Sequence, residues 1–353
     1  MSTIAGATDV GTLDQAIAGA QLIKQGLAAL VAETSSGYVA QDYAGLGANA
    51  AVALNLSASL SANQAAAANG TVAANIQQVA QTALQQISAV AANFASQASA
   101  LPTLTGGVAT LSAQAQDALQ QVANLLDTQV GGVYVFAGQD SADPPVPNPD
   151  DITASGFYTA IQTAVAGLTT NGAAATAAST LTIASPGGTS PFSATLEASG
   201  EIASVAVGGG QTINLAPLAN ANANATSTGV GSTSTGSYTR DILLSLARLG
   251  SLTPAQANDP NFLPFVQSTV TTLQGAVGAI STDIGALGSR QDQVTAAQAE
   301  LSATDTALQT QLGNVQDADL TQVSAQLSQA QTQLQASYQV IASLAQLTLA
   351  KYI

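Results

Sequence analysis

Apolar and small residues recur at three- and four-residue spacings in four stretches of the chain, and that period predicts helices. In residues 13–34 they are Leu13, Ile17, Ala20, Leu27 and Val31, with Lys24 interrupting at a heptad position. Ser35, Ser36 and Gly37 then break the helix. The second stretch runs from about residue 47 to 98, its latter half marked by Val72, Ile76, Val79, Ala83, Ile87, Val90 and Phe94. If continuous, about 50 residues rising 1.5 Å each make a rod of roughly 75 Å, with Gly70 a soft spot. Pro102 and Gly106-Gly107 end it. The third stretch carries Val108, Leu111, Ala115, Leu119, Val122 and Leu126 and stops at Gly131-Gly132.

The fourth stretch occupies the chain from about residue 261 to its end. Leu320, Leu327, Leu334 and Ile341 sit seven apart, and Val323, Ala330, Ser337 and Leu344 form a companion row three residues on. Two such rows held over several heptads predict a coiled-coil seam. The apolar pattern continues through Leu347, Leu349, Tyr352 and Ile353, with Lys351 the one charge in the last 19 residues. Few charges flank the seam, so salt bridges along it do not choose its partner.

The middle of the chain lacks this period. SADPPVPNPDD predicts a rigid turn or extended loop, and residues 156–168 a short helix. LTIAS, FSATLEAS, IASVAV and QTINLAP are short β-type runs separated by Gly or Pro. NANANATSTGVGSTSTGS is low in complexity and predicts an exposed loop. A helix resumes near Tyr238, and Pro254, Pro260 and Pro264 break the chain before the last helical region. The expected fold is therefore mainly α with an inserted β-rich domain. Long N- and C-terminal helices form a coiled-coil rod, and a β/loop domain lies outside it. The expected divisions are 1–45, an N-terminal helix and turn; 46–130, antiparallel rod helices; 131–250, the β-rich outer domain; and 251–353, the C-terminal helical rod.

Composition narrows what such a chain does. Five Lys and Arg stand against 20 Asp and Glu, a formal charge of −15. That sign opposes nucleic acid and anionic membrane surfaces, both of which need clustered cations. The chain has no Cys and no His, which removes disulfides, thiolate chemistry, the commonest general base and the commonest metal ligand. A triad or zinc centre is unavailable, and with aromatics at 4% no sugar-binding cleft accompanies a carboxylate pair, so no enzyme is expected. No bilayer span and no cleaved secretory signal is expected either.

Four motifs carry a resemblance to the flagellin family. NVQDADLTQVSAQLSQAQTQLQASY resembles that family's C-terminal region through Asp317, Asp319, Leu327, Ala330, Gln331, Leu334 and Tyr338, and GALGSRQDQV, with Arg290, resembles the start of its returning helix. ETSSGYVAQDYAG is similar to the turn after the family's first helix, but Tyr38 stands where a basic residue is usual and only Asp42 remains of an acidic pair. GGVYVFAGQDSADPPV, with Gly132, Tyr134, Phe136, Gly138, Pro144 and Pro145, resembles the branch of the family that joins hook to filament. The resemblance covers about residues 13–146 and 285–353.

The resemblance implies an extracellular structural subunit of the bacterial flagellum, an adaptor at the hook–filament junction. A filament subunit is the alternative, and a secreted helical adhesin or type III needle-complex protein a third. It implies export, unfolded and without a cleaved signal, through the flagellar machinery with its chaperone. The implied partners are further copies in a ring or filament, other hook-associated proteins and flagellin. The implied assembly residues are Leu13, Ile17, Leu27, Val31, Leu320, Val323, Leu327, Leu334, Tyr338, Ile341, Leu344, Leu347 and Tyr352. The stripes of residues 72–126, by contrast, are expected to bury each other inside one subunit.

No cofactor or metal is expected. Asp140, Asp143, Asp150 and Asp151 fit no calcium loop, and VGGGQ at residues 207–211 lacks phosphate-loop spacing and predicts a turn. Asn55, Asn69 and Asn224 begin N-x-S/T triplets that chance supplies at this composition, and residues 226–237 offer exposed hydroxyls for glycosylation. Arg290 is expected on a solvated helix face, paired with Asp283 or Asp292, or at an interface.

Overall fold

A computed structural model describes residues 4–101, 106–225 and 233–350. It divides into two compact units, one of Met1–Gln64 with Ala303–Ile353 and one of Ala65–Ser302. The elements follow the predicted helices closely. α1 is Ile4–Ser36, α2 Ala50–Ala100 and α3 Gly107–Leu126. α9, Phe262–Gln316, and α10, Leu320–Ala350, form the C-terminal third. Between them lie β1 (Gln129–Val130), β2 (Val133–Tyr134), α4 (Gly156–Ala166), α5 (Leu168–Asn171), α6 (Ala173–Ala184), α7 (Ala194–Ser199), β3 (Ser204–Ala206), β4 (Thr212–Asn214) and α8 (Tyr238–Gly250).

The fold is mainly α, and its middle holds less strand than the β-type runs suggest. IASVAV and QTINLAP supply β3 and β4, an antiparallel ribbon turned by the VGGGQ segment. LTIAS closes α6 instead, and FSATLEAS becomes α7, capped by Ser193, whose Oγ accepts from the Leu196 N–H. Short β-branched runs with a good N-cap are ambiguous between strand and helix, and packing decides. The Gly131-Gly132 pair does more than stop a helix. α3 ends at Leu126, and the two glycines, at φ +61° and +84°, form the tight turn between β1 and β2. Gly70 leaves α2 continuous.

The core of the larger unit is built around α8, every residue of which is buried. α3, α4 and α6 pack on it. The buried stripes of α2 (Ile76, Leu84, Ile87, Phe94) and α3 (Leu111, Leu119, Val122, Leu126) belong to the same cluster, as expected for residues 72–126. Alanines at positions 80, 83, 91, 95 and 98 on α2 are buried and let backbones approach closely. The C-terminal carbonyl of α8 is not left orphaned: Gly250 O accepts from Ser112 Oγ, Gln116 Nε2 and Tyr158 Oη, each at 2.7 Å.

α8 also brings charge into the core. Arg240 pairs with Glu197 and donates to the carbonyls of Asn220 and Ala184. Arg248 donates to Thr180 Oγ1 (2.8 Å) and Ala177 O (2.7 Å) and lies 5.7 Å from the Phe265 ring centre. Burial pulls its pKa down to about 10, against the opposing pull of the Asp241 charge, so it stays protonated at neutral pH. The low-complexity stretch is not the exposed loop its composition suggests. Ser234, Thr235 and Ser237 are buried and the described part before residue 226 is largely half-buried, while 226–232 lie outside the described residues. Asp283 on α9 accepts from the backbone N–H groups of Ala223, Asn224 and Ala225 at 2.8, 2.8 and 3.0 Å.

Candidate assembly interface

In the smaller unit α1 and α10 pack along each other. They run antiparallel, as the pairing at their shared end shows. The end of α1 turns at Gly37, φ +75°, where the Tyr38 and Asp317 segments form an antiparallel bridge. Val39 N donates to Gln316 O and Ala318 N to Gly37 O, each at 2.8 Å. The ETSSGY and DAD motifs, nearly 280 residues apart, thus meet backbone to backbone. Asp319 then starts α10: its Oδ1 accepts from Thr321 N (3.0 Å) and Gln322 N (3.2 Å), as an N-cap should. Asp317 is exposed.

The α10 side of the seam follows the predicted rows. Val323 is buried at 5% exposure, and Leu327, Leu334, Ile341 and Leu344 are half-buried. Leu320, at the helix start, is exposed, and so is Tyr338 at 53%, so these two do not join the seam. The Leu347 side chain and Tyr352 lie outside the described residues.

On α1 the seam differs from the row read in the sequence. Leu13, Ala16, Ala20, Ile23, Leu27 and Leu30, alternating three and four apart, are buried or half-buried and form the seam, with Gly19, Ala32, Glu33 and Ser36 also half-buried. Ile17 and Val31 are 39% and 48% exposed. The stripe Leu13–Ile17–Ala20–Leu27–Val31 mixed two rows, because Ala16 is small and Ile23 and Leu30 were passed over. Strict 3–4 alternation from Leu13 finds the true seam. Lys24 falls in the same exposed row as Ile17 and Val31, one seven-residue step between them. On the other flank lies a groove of about 470 Å³ lined by Ala16, Gly19, Ile23, Gln333, Ala336 and Val340. The pair is therefore half-finished: one seam is closed and two apolar flanks are open.

The GGVYVFAG motif lies in the larger unit. After the β1–β2 turn, Val135, Phe136, Ala137 and Gly138 are all buried, while Tyr134 is half-buried. Phe136 O accepts from Ala219 N (2.9 Å) and Glu201 O from Gln139 N (3.1 Å). Asp127, capping the end of α3, accepts from the Val146 N–H at 2.8 Å and so holds the segment after Pro144-Pro145. Burial pushes Asp127 up to about 6, with that hydrogen bond pulling the other way. A folded-state pKa above the unfolded value means stability present below pH 3.8 and lost as pH rises through about 6. Asp127→Asn keeps an acceptor and removes the titration. Its melting temperature is expected to gain on that of the unaltered protein between about pH 4 and pH 7. A pH-independent difference in calorimetry would refute this.

Arg290 meets neither Asp292 nor Asp283 among the described residues; its Nη2 donates to Asn224 Oδ1 at 3.0 Å. With Asp283 on the adjacent amides, it pins residues 223–225 to α9. The buried polar groups around α8 escaped sequence reasoning, since sparse charges in a polar-neutral chain carry no periodic signal. Among the described residues no group of three or more His, Cys, Asp and Glu comes together, and no helix is long and apolar enough to cross a membrane.

A helical molecule whose terminal helices pair with open flanks, and whose core holds a buried ion pair and capped helix ends, has the make-up of a self-assembling structural protein. Comparison identifies which. Residues 14–141 match the bacterial flagellin N-terminal helical region, and residues 270–353 the bacterial flagellin C-terminal helical region. Together these span more than half of the sequence, and the chain belongs to the flagellin family. That family is structural rather than enzymatic, self-assembles with other flagellar proteins and forms part of the extracellular flagellum. Among solved structures, the fold resembles a candidate flagellar hook-associated protein from Vibrio parahaemolyticus. The TM-score is 0.51 at 11% identity, over 78% of this chain and 99% of that one. A comparison with curated proteins finds no match.

Proposed function

We propose that this flagellin-family subunit is an adaptor between hook and filament. The observation that carries the reading is the segment from Gly132 to Gly138, which resembles the junction branch of the family and whose latter half, Val135 to Gly138, is buried in the larger unit. The name of the Vibrio parahaemolyticus structural neighbour favours the same reading. The residues assigned to assembly are the seam positions Leu13, Leu27, Val323, Leu327, Leu334, Ile341 and Leu344, with Ile17, Val31 and Tyr338 open toward neighbours. Exposed Leu320 is assigned to the same open set, and Leu347 and Tyr352 to assembly from the sequence pattern alone. Copies of the chain, other hook-associated proteins and flagellin then complete the flanks. Export runs through the flagellar type III channel with a chaperone, and a chain without cysteine passes without disulfide traps.

The filament subunit is the second reading, favoured by the two flagellin regions themselves. Electron microscopy of a deletion strain separates the two. Loss of the adaptor leaves intact hooks and filament protein shed into the medium. Bare hooks with no shed filament protein would assign the filament role instead. Normal swimming with defective attachment would overturn both in favour of an adhesin.

A further inference from the structure

The two flanks of the α1–α10 pair are chemically unlike. With the seam at a and d positions, Ile17, Lys24 and Val31 follow at e, and Gly19, Gly26 and Glu33 at g on the opposite flank. The e flank projects large apolar side chains around a cation. The g flank is the groove, its glycines open enough that an added Cβ on either would meet nothing within 4 Å. Lys24 is the one lysine or arginine in the described residues of this unit; every other charged side chain there is a carboxylate. A lysine carried between two apolar residues into an interface loses hydration and needs a carboxylate opposite it. A further copy of the chain brings one.

We infer that Lys24 sets the register between copies by pairing with Glu33 of the next copy. The inference rests on the assembly reading above and names the contact that orders it. Copies related by rotation in a ring or tube run parallel, so the e row of one meets the g row of the next, a heterologous contact. Registers a heptad apart compete, and an offset of minus five leaves Lys24 over Gly19 with no carboxylate. An offset of two residues puts uncompensated Lys24 over Gly26 and presses Val31 on the Glu33 charge. An offset of nine sets Ile17 over Gly26, an apolar side chain over a glycine, and Lys24 against Glu33. Charge and shape agree only in the last. A single ionic residue in an otherwise apolar row is the device by which coiled coils fix register at some cost in stability. Unlike flanks also disfavour a closed two-fold dimer, since neither flank complements itself.

Charge exchange in the purified full-length chain tests this, with assembly read by sedimentation and helicity by circular dichroism. Lys24→Glu and Glu33→Lys are each expected to lower the assembled fraction at least about tenfold, because like charges then face each other in the contact. Combining the two restores assembly to near the original level. Should the single variants lose helicity, Lys24→Met keeps the helix, and adding Glu33→Lys to it is then expected to change assembly no further. Single variants that assemble normally, a double variant that does not recover, or additive losses on the Lys24→Met background would overturn the pairing. Ile17→Ser with Val31→Ser tests the underlying reading separately: normal assembly there would remove the docking flank altogether, whatever Lys24 does.

Discussion

Gly138→Ala is expected to destabilise the larger unit by about 3 kcal/mol or more, the sum of a left-handed backbone and a backbone collision. Gly138 sits at φ +68°. A Cβ there would stand 2.3 Å from the Glu201 carbonyl oxygen and 2.6 Å from Leu218 Cδ2. The carbonyl cannot swing away freely, because it accepts the Gln139 N–H. Leu218 is buried, so its side chain has little room to yield. Urea unfolding followed by circular dichroism measures the loss. A change within about 1 kcal/mol would mean that this close approach does not exist. The glycine of the GGVYVFAG motif thus holds the turn that lets Phe136 enter the core.

The second large effect is expected at Asp283. Its carboxylate, 2% exposed, is the acceptor for three successive backbone N–H groups, those of residues 223–225. Its charge also acts on Tyr238, which burial first and Asp283 second hold far above the ordinary tyrosine range. Asp283→Ala leaves those amides without an acceptor in a partly buried site, at about 1–3 kcal/mol for each that water does not reach. A loss of several kcal/mol is therefore expected, with hydrogen exchange accelerating at residues 223–225 before the rest of the unit. Asp283→Asn keeps one acceptor oxygen and is expected to lose distinctly less. Equal losses from Ala and Asn would show that shape, not hydrogen bonding, holds the segment.

Both sites lie where sequence reasoning reaches least. Periodicity exposed the long helices, because a stripe repeated over many turns averages out local ambiguity. It placed Val323, Leu327, Leu334, Ile341 and Leu344 on one face, and the structure puts them there. It found Ala20 on α1 but missed the seam position next to it, since Ala16 marks no contrast with its neighbours. The middle was harder for a different reason. LTIAS and FSATLEAS have strand-like composition, yet the hydroxyl of Ser193 caps one as helix and α8 packs the other. The serine–threonine stretch looked like solvent-exposed loop, but Ser234 and Thr235 satisfy the buried Asp241. Hydroxyls that serve a buried carboxylate and hydroxyls that face water are the same letters.

The central claim is that α1 and α10 remain incompletely satisfied until other subunits surround them. Among their described seam positions only Ala20 and Val323 are fully buried, whereas every residue of α8 is. Few buried contacts mean cheap local opening. The deciding measurement is amide hydrogen exchange across residues 320–346, in the free subunit and in the assembled state. The account predicts exchange in the free subunit at least about 100-fold faster than in α8, with strong protection gained on assembly. Protection in the free subunit equal to that of α8, unchanged by assembly, would contradict it.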